Sequence, residues 1–319
     1  MSSAMRMPYD ILLGMTDVRT APKNPDPGAY GPDGRSEWLD IDWREHQKWV
    51  QVEGAPVNVI DLGEGDPMVF IHGLSGAWVN WLENLPHFAR NHRVIAMDLP
   101  GFGHSPMPNE KISIAGYGRI VDELLDALGI ERAVIVGNSM GGFVGAEVAM
   151  QFGTRVEKLV LISAAGISIE HQRNEPVLRA MEMLDDVLIL GTGWMATRWA
   201  GLAGRPRARR QVMRLVAHRA DELPGPLIAE QVLGSGKPGF VPALDALTDY
   251  PIRDRLSEIQ CPVLVVWGEK DRLVPVKDAY VFGELIPDAR VVVWPETGHV
   301  AMLERPSAFN ALVDDFLAQ

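Results

Sequence analysis

The chain lacks the features that mark secreted, membrane-spanning or nucleic-acid-binding proteins. Its 319 residues include one cysteine, Cys261, which excludes an intramolecular disulfide and a cysteine-based metal site and favours a reducing, cytoplasmic setting. The chain has 30 Lys and Arg residues and 42 Asp and Glu residues, so its formal charge is −12. Binding to nucleic acid or to an anionic membrane is not expected, because both require a net basic surface. The longest apolar-leaning stretch, residues 133–150, contains Asn138, Ser139 and Glu147, so no integral membrane segment is expected.

Alternating strand and helix patterns fill residues 46–166 and 251–319. Before them, an N-terminal arm and a linker rich in Pro and Gly occupy residues 1–45. Apolar–polar alternation from Trp49 predicts two half-buried antiparallel strands. Continuous apolar runs then predict strands covered on both faces at 68–72, 93–98, 133–137, 158–163, 262–268 and 290–294. Helical patterns lie at 78–90, 114–129, 140–152, 276–286 and from Pro306, so we expect an α/β protein with a mostly parallel central sheet flanked by helices.

Residues 167–250 interrupt this alternation and predict an inserted helical cap. The segment is helical in pattern and contains no buried-strand run. Its apolar side chains either line a substrate pocket or form the core of the cap, and the sequence favours neither; they include Met181, Met183, Trp194, Met195 and Trp199. Six arginines between positions 205 and 219 favour a solvated or salt-bridged helix face over an anchor for a substrate carboxylate.

Ser139 lies in the segment Gly137-Asn138-Ser139-Met140-Gly141, directly after a buried strand and directly before a helix. A serine on such a turn is forced into a strained conformation, and the flanking glycines let neighbouring backbone approach. Its hydroxyl is then presented at a helix N-terminus, where backbone N–H groups favour negative charge. An isolated pattern of this kind can also be an ordinary turn with an N-capping serine, so catalysis requires partners.

Asp271 and His299 follow the last two buried strands and therefore fall at the same sheet edge as Ser139. A serine nucleophile needs a base, and the base needs an orienting acid. Alone, Asp271 could cap the next helix and His299 could be a packed histidine, but the coincidence of three such positions favours catalysis. Glu269 is the second-ranked acid, and His104 is a disfavoured second base.

Five segments together resemble the α/β-hydrolase superfamily of serine esterases and related hydrolases. They are H-G-L-S-G (72–76), D-L-P-G-F-G-H-S (98–105), G-N-S-M-G-G (137–142), W-G-E-K-D-R-L-V-P (267–275) and G-H-V-A-M-L-E-R-P (298–306). The resemblance implies an α/β-hydrolase fold and a triad of Ser139, Asp271 and His299. It also implies an oxyanion hole formed by the backbone N–H groups of Leu74 and Met140. No cofactor and no metal are expected.

The same motifs indicate which reactions of the superfamily this chain can catalyse. Members whose nucleophile is an aspartate on the strand-to-helix turn are excluded as models, because this chain has Ser139 at that position. The segment G-N-S-M-G-G also resembles that of carbon–carbon bond hydrolases of vinylogous diketo acids, but those enzymes usually have Trp after the catalytic histidine, where this chain has Val300. We therefore expect hydrolysis of small carboxylic esters through an acyl-enzyme, with Val300 near the substrate. The short H-G-L-S-G loop resembles that of hydrolases that prefer short-to-medium acyl chains. Carbon–carbon hydrolysis is the alternative, and a hydrolase-fold receptor with little turnover is an alternative of another class.

Overall fold

One nine-stranded sheet organises the described part of the chain. The computed structural model describes residues 19–20, 30–52, 55–168, 205–248 and 250–319. The strands are β1 (Arg19–Thr20), β2 (Gln47–Val52), β3 (Ala55–Leu62), β4 (Asp66–Ile71), β5 (His92–Met97), β6 (Ala133–Asn138), β7 (Val156–Ile162), β8 (Val263–Gly268) and β9 (Ala289–Trp294). Their order in the sheet is β1-β9-β8-β7-β6-β4-β5-β3-β2. β3 pairs antiparallel with β2 and with β5, and the other neighbouring strands are parallel.

Helices cover both faces of this sheet. They are α1 (Leu85–Phe88), α2 (Ile114–Ala127), α3 (Met140–Gln151), α4 (Pro206–Met213), α5 (Gly225–Gly234), α6 (Phe240–Thr248), α7 (Lys277–Leu285), α8 (Ala301–Glu304) and α9 (Pro306–Leu317). Alternate residues of β4 enter different apolar clusters. Val69 belongs to the cluster that includes residues of α2, α3 and α7, whereas Phe70 belongs to the cluster that includes residues of α1 and α9. Burial on both faces explains why continuous apolar runs mark the parallel strands.

The predicted mostly parallel sheet with flanking helices is confirmed, but two local predictions are wrong. The single helix expected at 78–90 is a 3-10 helix, Trp78–Trp81, followed by the short α1. Pro86 lies in the first turn of α1, where a residue without an N–H group is tolerated, whereas a continuous helix would place it in the interior. β3 was expected to be half-buried, yet most of its residues are buried, because it lies between β2 and β5 and has apolar clusters on both faces.

The division into arm, core and cap stays a prediction. Residues 36–46 of the predicted arm and linker lie on the core, where the indole N–H of Trp38 donates to Glu83 at 2.9 Å. Residues 205–248 contain α4, α5 and α6, in agreement with the helical pattern of the expected cap. Within the described residues, no helix combines the length and apolar character needed to cross a bilayer.

Candidate active site

Ser139 occupies the strained elbow that the sequence predicts between β6 and α3. Its backbone angles are φ 55° and ψ −117°, in a region that a residue with a side chain rarely adopts. Three backbone hydrogen bonds hold it there: its N–H donates to the Ile162 carbonyl at 2.9 Å, and its carbonyl accepts from Phe143 and Ala165, each at 3.1 Å. The residue is half-buried and directly follows the last residue of β6, so it lies at the carboxyl edge of the sheet.

The loop after β4 runs directly beside this elbow. A Cβ built on Gly141 would lie 2.0 Å from the Ile71 carbonyl oxygen, so only glycine allows α3 to approach the end of β4 this closely. A Cβ built on Gly73 would lie 3.2 Å from the Cβ of Ser139, so the loop backbone at Gly73 packs closely against the serine. Leu74 follows in that loop and Met140 begins α3. The two predicted oxyanion donors therefore belong to the segments that adjoin Ser139.

Asp271 and His299 form a buried, oriented pair. His299 Nδ1 lies 2.7 Å from Asp271 Oδ2, and the two side chains are 4% and 0% exposed. Asp271 Oδ1 accepts from the backbone N–H groups of Leu273 at 2.8 Å and Val274 at 3.0 Å. Because a carboxylate only accepts hydrogen bonds, Nδ1 of His299 carries a proton, and in the neutral ring the lone pair is then on Nε2. The pair has the geometry of a general base and its orienting acid.

The competing candidates lie elsewhere. Glu269 is an exposed side chain whose carboxylate lies 3.3 Å from Lys270 Nζ, so Asp271 and not Glu269 faces the histidine. His104 is also exposed, with Nδ1 3.6 Å from Asp98 Oδ2. His72 is fully buried, its Nε2 accepts from the Leu99 N–H at 3.0 Å, and burial lowers its pKa, which fits a packed histidine in the loop after β4.

Residues 295–300, the loop between β9 and α8 that carries His299, are called the histidine loop. Hydrogen bonds join this loop to the turn at Ser139 and to the helical segment 205–248. The Asn138 side chain donates to the His299 carbonyl at 3.3 Å, and the His299 N–H donates to the Val216 carbonyl at 2.8 Å. The Gly298 N–H donates to Glu304 Oε1 at 2.8 Å. These three partners of the loop escaped the sequence analysis. Glu304 lies in the segment G-H-V-A-M-L-E-R-P, and its place in that motif is the one signal that could have singled it out.

Segment 205–248 packs over the same edge of the sheet. Besides Val216 at the histidine loop, the Gln231 side chain donates to the Val79 carbonyl at 2.8 Å, and the Gly239 N–H donates to the Gly101 carbonyl at 3.0 Å. The expected pocket residues Met181, Met183, Trp194, Met195 and Trp199 lie outside the described residues. Val300 is buried in an apolar cluster, and its carbonyl accepts the first hydrogen bonds of α8.

The arginine run and Cys261 have ordinary surroundings. Arg210 pairs with Asp221, and Arg219 pairs with Glu222, as expected of a salt-bridged face.

Cys261 is buried, and burial raises the pKa of its thiol to about 11, which keeps the thiol protonated and unreactive at neutral pH.

Comparison with known proteins identifies the family. A family model described as alpha/beta hydrolase fold matches residues 66–306, so the chain belongs to the α/β-hydrolase family. The 2-hydroxy-6-oxo-2,4-heptadienoate hydrolase of Pseudomonas putida is 31% identical over 290 residues, which cover 85% of this chain and 96% of the relative. The 2-hydroxymuconate semialdehyde hydrolase of a Pseudomonas species is 30% identical, covering 83% and 92%. A solved meta-cleavage product hydrolase from Pseudomonas fluorescens has a TM-score of 0.66 and 26% identity, covering 86% of this chain and 98% of its own. The protein is a hydrolase of this family.

Proposed function

We propose that the protein hydrolyses a carbon–carbon bond of vinylogous diketo acids, with Ser139 as nucleophile, His299 as base and Asp271 as orienting acid. The observation that carries the proposal is the buried contact of 2.7 Å between His299 and Asp271 at the edge where Ser139 forms its elbow. The substrate class is supported by the relatives, which are named as hydrolases of 2-hydroxy-6-oxo-dienoates and of 2-hydroxymuconate semialdehyde. They favour carbon–carbon hydrolysis over the ester hydrolysis that we expected from the sequence.

The reaction follows from the triad. The Ser139 hydroxyl attacks the 6-oxo carbon while His299 Nε2 takes its proton, and the N–H groups of Leu74 and Met140 stabilise the oxyanion. When the intermediate collapses, the bond from the carbonyl carbon to the conjugated chain breaks. In the 2-oxo tautomer of the substrate, that electron pair is delocalised onto the 2-oxo oxygen, and the leaving dienolate takes the proton that His299 Nε2 accepted from Ser139. Water, activated by His299, then releases the acyl group from Ser139.

Ester hydrolysis is the second candidate, because one residue favours it. Val300 follows the catalytic histidine, where carbon–carbon hydrolases that the motifs resemble usually have Trp. The attack, the oxyanion and the deacylation are the same for both substrates. In the ester, the leaving oxygen takes the proton directly, so no conjugated chain is needed to receive an electron pair.

The placement of segment 205–248 supports a covering role over the site. We propose residues 167–250 as a cap on the core of 46–166 and 251–319. The hydrogen bonds from residues 205–248 to Val79, Gly101 and His299 support this proposal, because these three residues lie near the sheet edge that carries Ser139. A cap in this position would shield the acyl-enzyme from bulk water.

Two acetyl donors distinguish the candidate functions. Both 2-hydroxy-6-oxohepta-2,4-dienoate and 4-nitrophenyl acetate transfer an acetyl group to Ser139, and they differ in the leaving group. We expect a higher kcat/KM for the diketo acid, although nitrophenolate is the better leaving group, and we expect Ser139→Ala to lose both activities. Turnover of the ester alone would assign ester hydrolysis, and turnover of neither would favour the receptor.

A further inference from the structure

A buried carboxylate joins three segments next to the histidine loop. Glu304, at the end of α8, is 0% exposed. Its Oε1 accepts from the Gly298 N–H at 2.8 Å, and its Oε2 accepts from the His218 N–H at 2.8 Å and from the Tyr30 hydroxyl. One side chain thus holds the histidine loop, the helical segment 205–248 and the N-terminal segment together.

The packing at Gly298 shows how tightly these segments meet. A Cβ built there would lie 2.7 Å from the His218 N, 2.9 Å from Glu304 Oε1 and 3.0 Å from the Val216 carbonyl oxygen. The next residue, His299, donates its N–H to the same Val216 carbonyl at 2.8 Å. The Gly298 N–H is therefore bound by Glu304 directly. The His299 N–H is bound by Val216, whose segment Glu304 holds through the His218 N–H.

We propose that Glu304 is a positioning residue for His299. Its carboxylate fixes the Gly298 peptide and the chain around Val216, and these two supports fix the backbone of His299 so that its ring keeps the hydrogen bond to Asp271. The proposal rests on the proposed function only in that Ser139 and His299 perform acyl transfer, whichever bond is broken.

The role requires the ionised carboxylate. The two oxygens of the carboxylate accept from three donors. The protonated acid must instead donate its own O–H to the Tyr30 oxygen, which already accepts from the Arg219 N–H, and it then loses the Tyr30 hydroxyl as a donor. Burial raises the pKa of Glu304 to about 7, while the hydrogen bonds from Tyr30, His218 and Gly298 act in the opposite direction. Positioning should therefore weaken as the pH falls through about 7.

Other charged groups surround this carboxylate. The Tyr30 ring lies under two guanidinium groups, with its centroid 5.1 Å from Cζ of Arg219 and 5.3 Å from Cζ of Arg305. The His218 ring lies 3.2 Å from Glu296, which also pairs with Lys270. Burial and the coulombic effect of Glu304 both raise the pKa of Tyr30, so its hydroxyl remains a donor over the working range. Glu304→Gln separates the effect of the carboxylate from that of these neighbouring groups.

The test measures how fast a fluorophosphonate probe phosphonylates Ser139 in the full-length protein between about pH 5.5 and 9. This rate reports activation of the serine and does not depend on the natural substrate. We expect the wild-type rate to fall as the pH drops through about 7, because Glu304 must be ionised. Glu304→Gln leaves one buried N–H facing an amide NH2 group, so its rate above pH 8 should fall by about 10- to 100-fold, and its acid limb should no longer contain the step near pH 7.

Glu83→Gln is the matched control. The Glu83 carboxylate also holds the N-terminal region, through the Ser36 hydroxyl at 2.8 Å and the Trp38 indole at 2.9 Å, and burial raises its pKa as well. These two partners belong to the N-terminal region and not to the histidine loop, so the labelling rate and acid limb of Glu83→Gln should match those of the wild type. A Glu304→Gln protein that labels like the wild type, or a Glu83→Gln protein that is equally impaired, would overturn the positioning role.

Tyr30→Phe keeps the proposal open to refutation if Glu304→Gln does not fold. Loss of the Tyr30 donor raises the pKa of Glu304, so the acid limb should move to higher pH with the plateau rate retained. An unmoved limb would overturn the proposal. A wild-type protein that the probe does not label at all would instead contradict the proposed function itself.

Discussion

Asp271→Asn tests the orientation of the base. The two oxygens of Asp271 have different partners: Oδ1 accepts from the N–H groups of Leu273 and Val274, and Oδ2 accepts from His299. If the amide oxygen of Asn keeps the two backbone donors, its NH2 group faces Nδ1 of His299. Nδ1 must then accept, the proton moves to Nε2, and the imidazole no longer acts as a base.

The opposite orientation of the amide is costly. It restores the right tautomer but turns the NH2 group toward two buried N–H groups, each of which costs about 1–3 kcal/mol when unpaired. A total of about 2–6 kcal/mol corresponds to a loss of roughly 30- to 20,000-fold, because each 1.4 kcal/mol is about tenfold. The lost negative charge no longer stabilises the imidazolium, so we expect the upper end of this range, on the order of ten-thousandfold in kcat.

The assay is steady-state turnover of 2-hydroxy-6-oxohepta-2,4-dienoate, with Glu269→Gln as the control. Glu269 is exposed and pairs with Lys270, so its substitution should leave kcat within about twofold. Thermal unfolding should show that Asp271→Asn is folded, since its amide oxygen still satisfies both backbone donors. An Asp271→Asn enzyme within tenfold of the wild type, or a Glu269→Gln enzyme that is the more impaired, would refute the assignment of the acid.

Three further predictions follow from the same geometry. Ser139→Ala should lower kcat by up to roughly a millionfold while the fold is retained, as measured by single-turnover kinetics; residual turnover within a hundredfold would contradict it. Gly298→Ala places a Cβ 2.7 Å from the His218 N and should lower both the melting temperature and kcat, whereas Gly153→Ala, which has nothing within 4 Å, should change neither. The folded protein binds a proton at Glu304 more tightly than the unfolded chain, in which the glutamate carboxyl has its ordinary pKa of 4.5, so stability should fall as the pH rises from about 4.5 to 7, by about 3 kcal/mol relative to Glu304→Gln. Urea unfolding of both proteins across this range measures the difference, and parallel stability curves would contradict it.

The proposed triad could be located from the sequence because its signals are local. Ser139, Asp271 and His299 each follow a continuous apolar run, and the carboxyl ends of parallel strands meet at one edge of the sheet. The choice of Asp271 over Glu269 also followed from position, since Asp271 lies further beyond the strand. The structure has Asp271 against the histidine.

The supports of the loop could not be predicted, because they depend on contacts between distant parts of the chain. Val216 reaches His299 from the segment inserted after β7, and Tyr30 reaches Glu304 from the N-terminal region. No periodicity encodes which carbonyl will accept a given N–H group in such a contact. The break between Trp78–Trp81 and α1 also escaped, because the apolar spacing of 78–90 continues across Pro86.

The proposed leaving group has weaker signals in the sequence than the proposed nucleophile. The motifs around Ser139 and His299 predict acyl transfer, which ester and carbon–carbon hydrolysis share up to the collapse of the tetrahedral intermediate. The expectation of ester hydrolysis depended on Val300 alone. The relatives over most of the chain length favour the alternative, and one substituted position after the histidine has less weight than they do.

The proposed role of Glu304 connects activity with stability. Glu304 would position His299 above about pH 7, where its carboxylate is ionised. At that pH the buried charge lowers the free energy of unfolding. The hydrogen bonds from Gly298, His218 and Tyr30 offset part of this cost. A site that is strained or destabilised for the sake of its geometry is common in enzymes.

The most direct test of the central claim is to trap the acyl-enzyme. Acid quenching during turnover of 2-hydroxy-6-oxohepta-2,4-dienoate, followed by peptide mass spectrometry, should show an acetyl group on Ser139 and no such adduct in Ser139→Ala. Asp271→Asn, which slows the formation of the intermediate, should give less of it at early times. An acetyl group on another side chain, or turnover of the diketo acid by Ser139→Ala at the wild-type rate, would contradict carbon–carbon hydrolysis through Ser139.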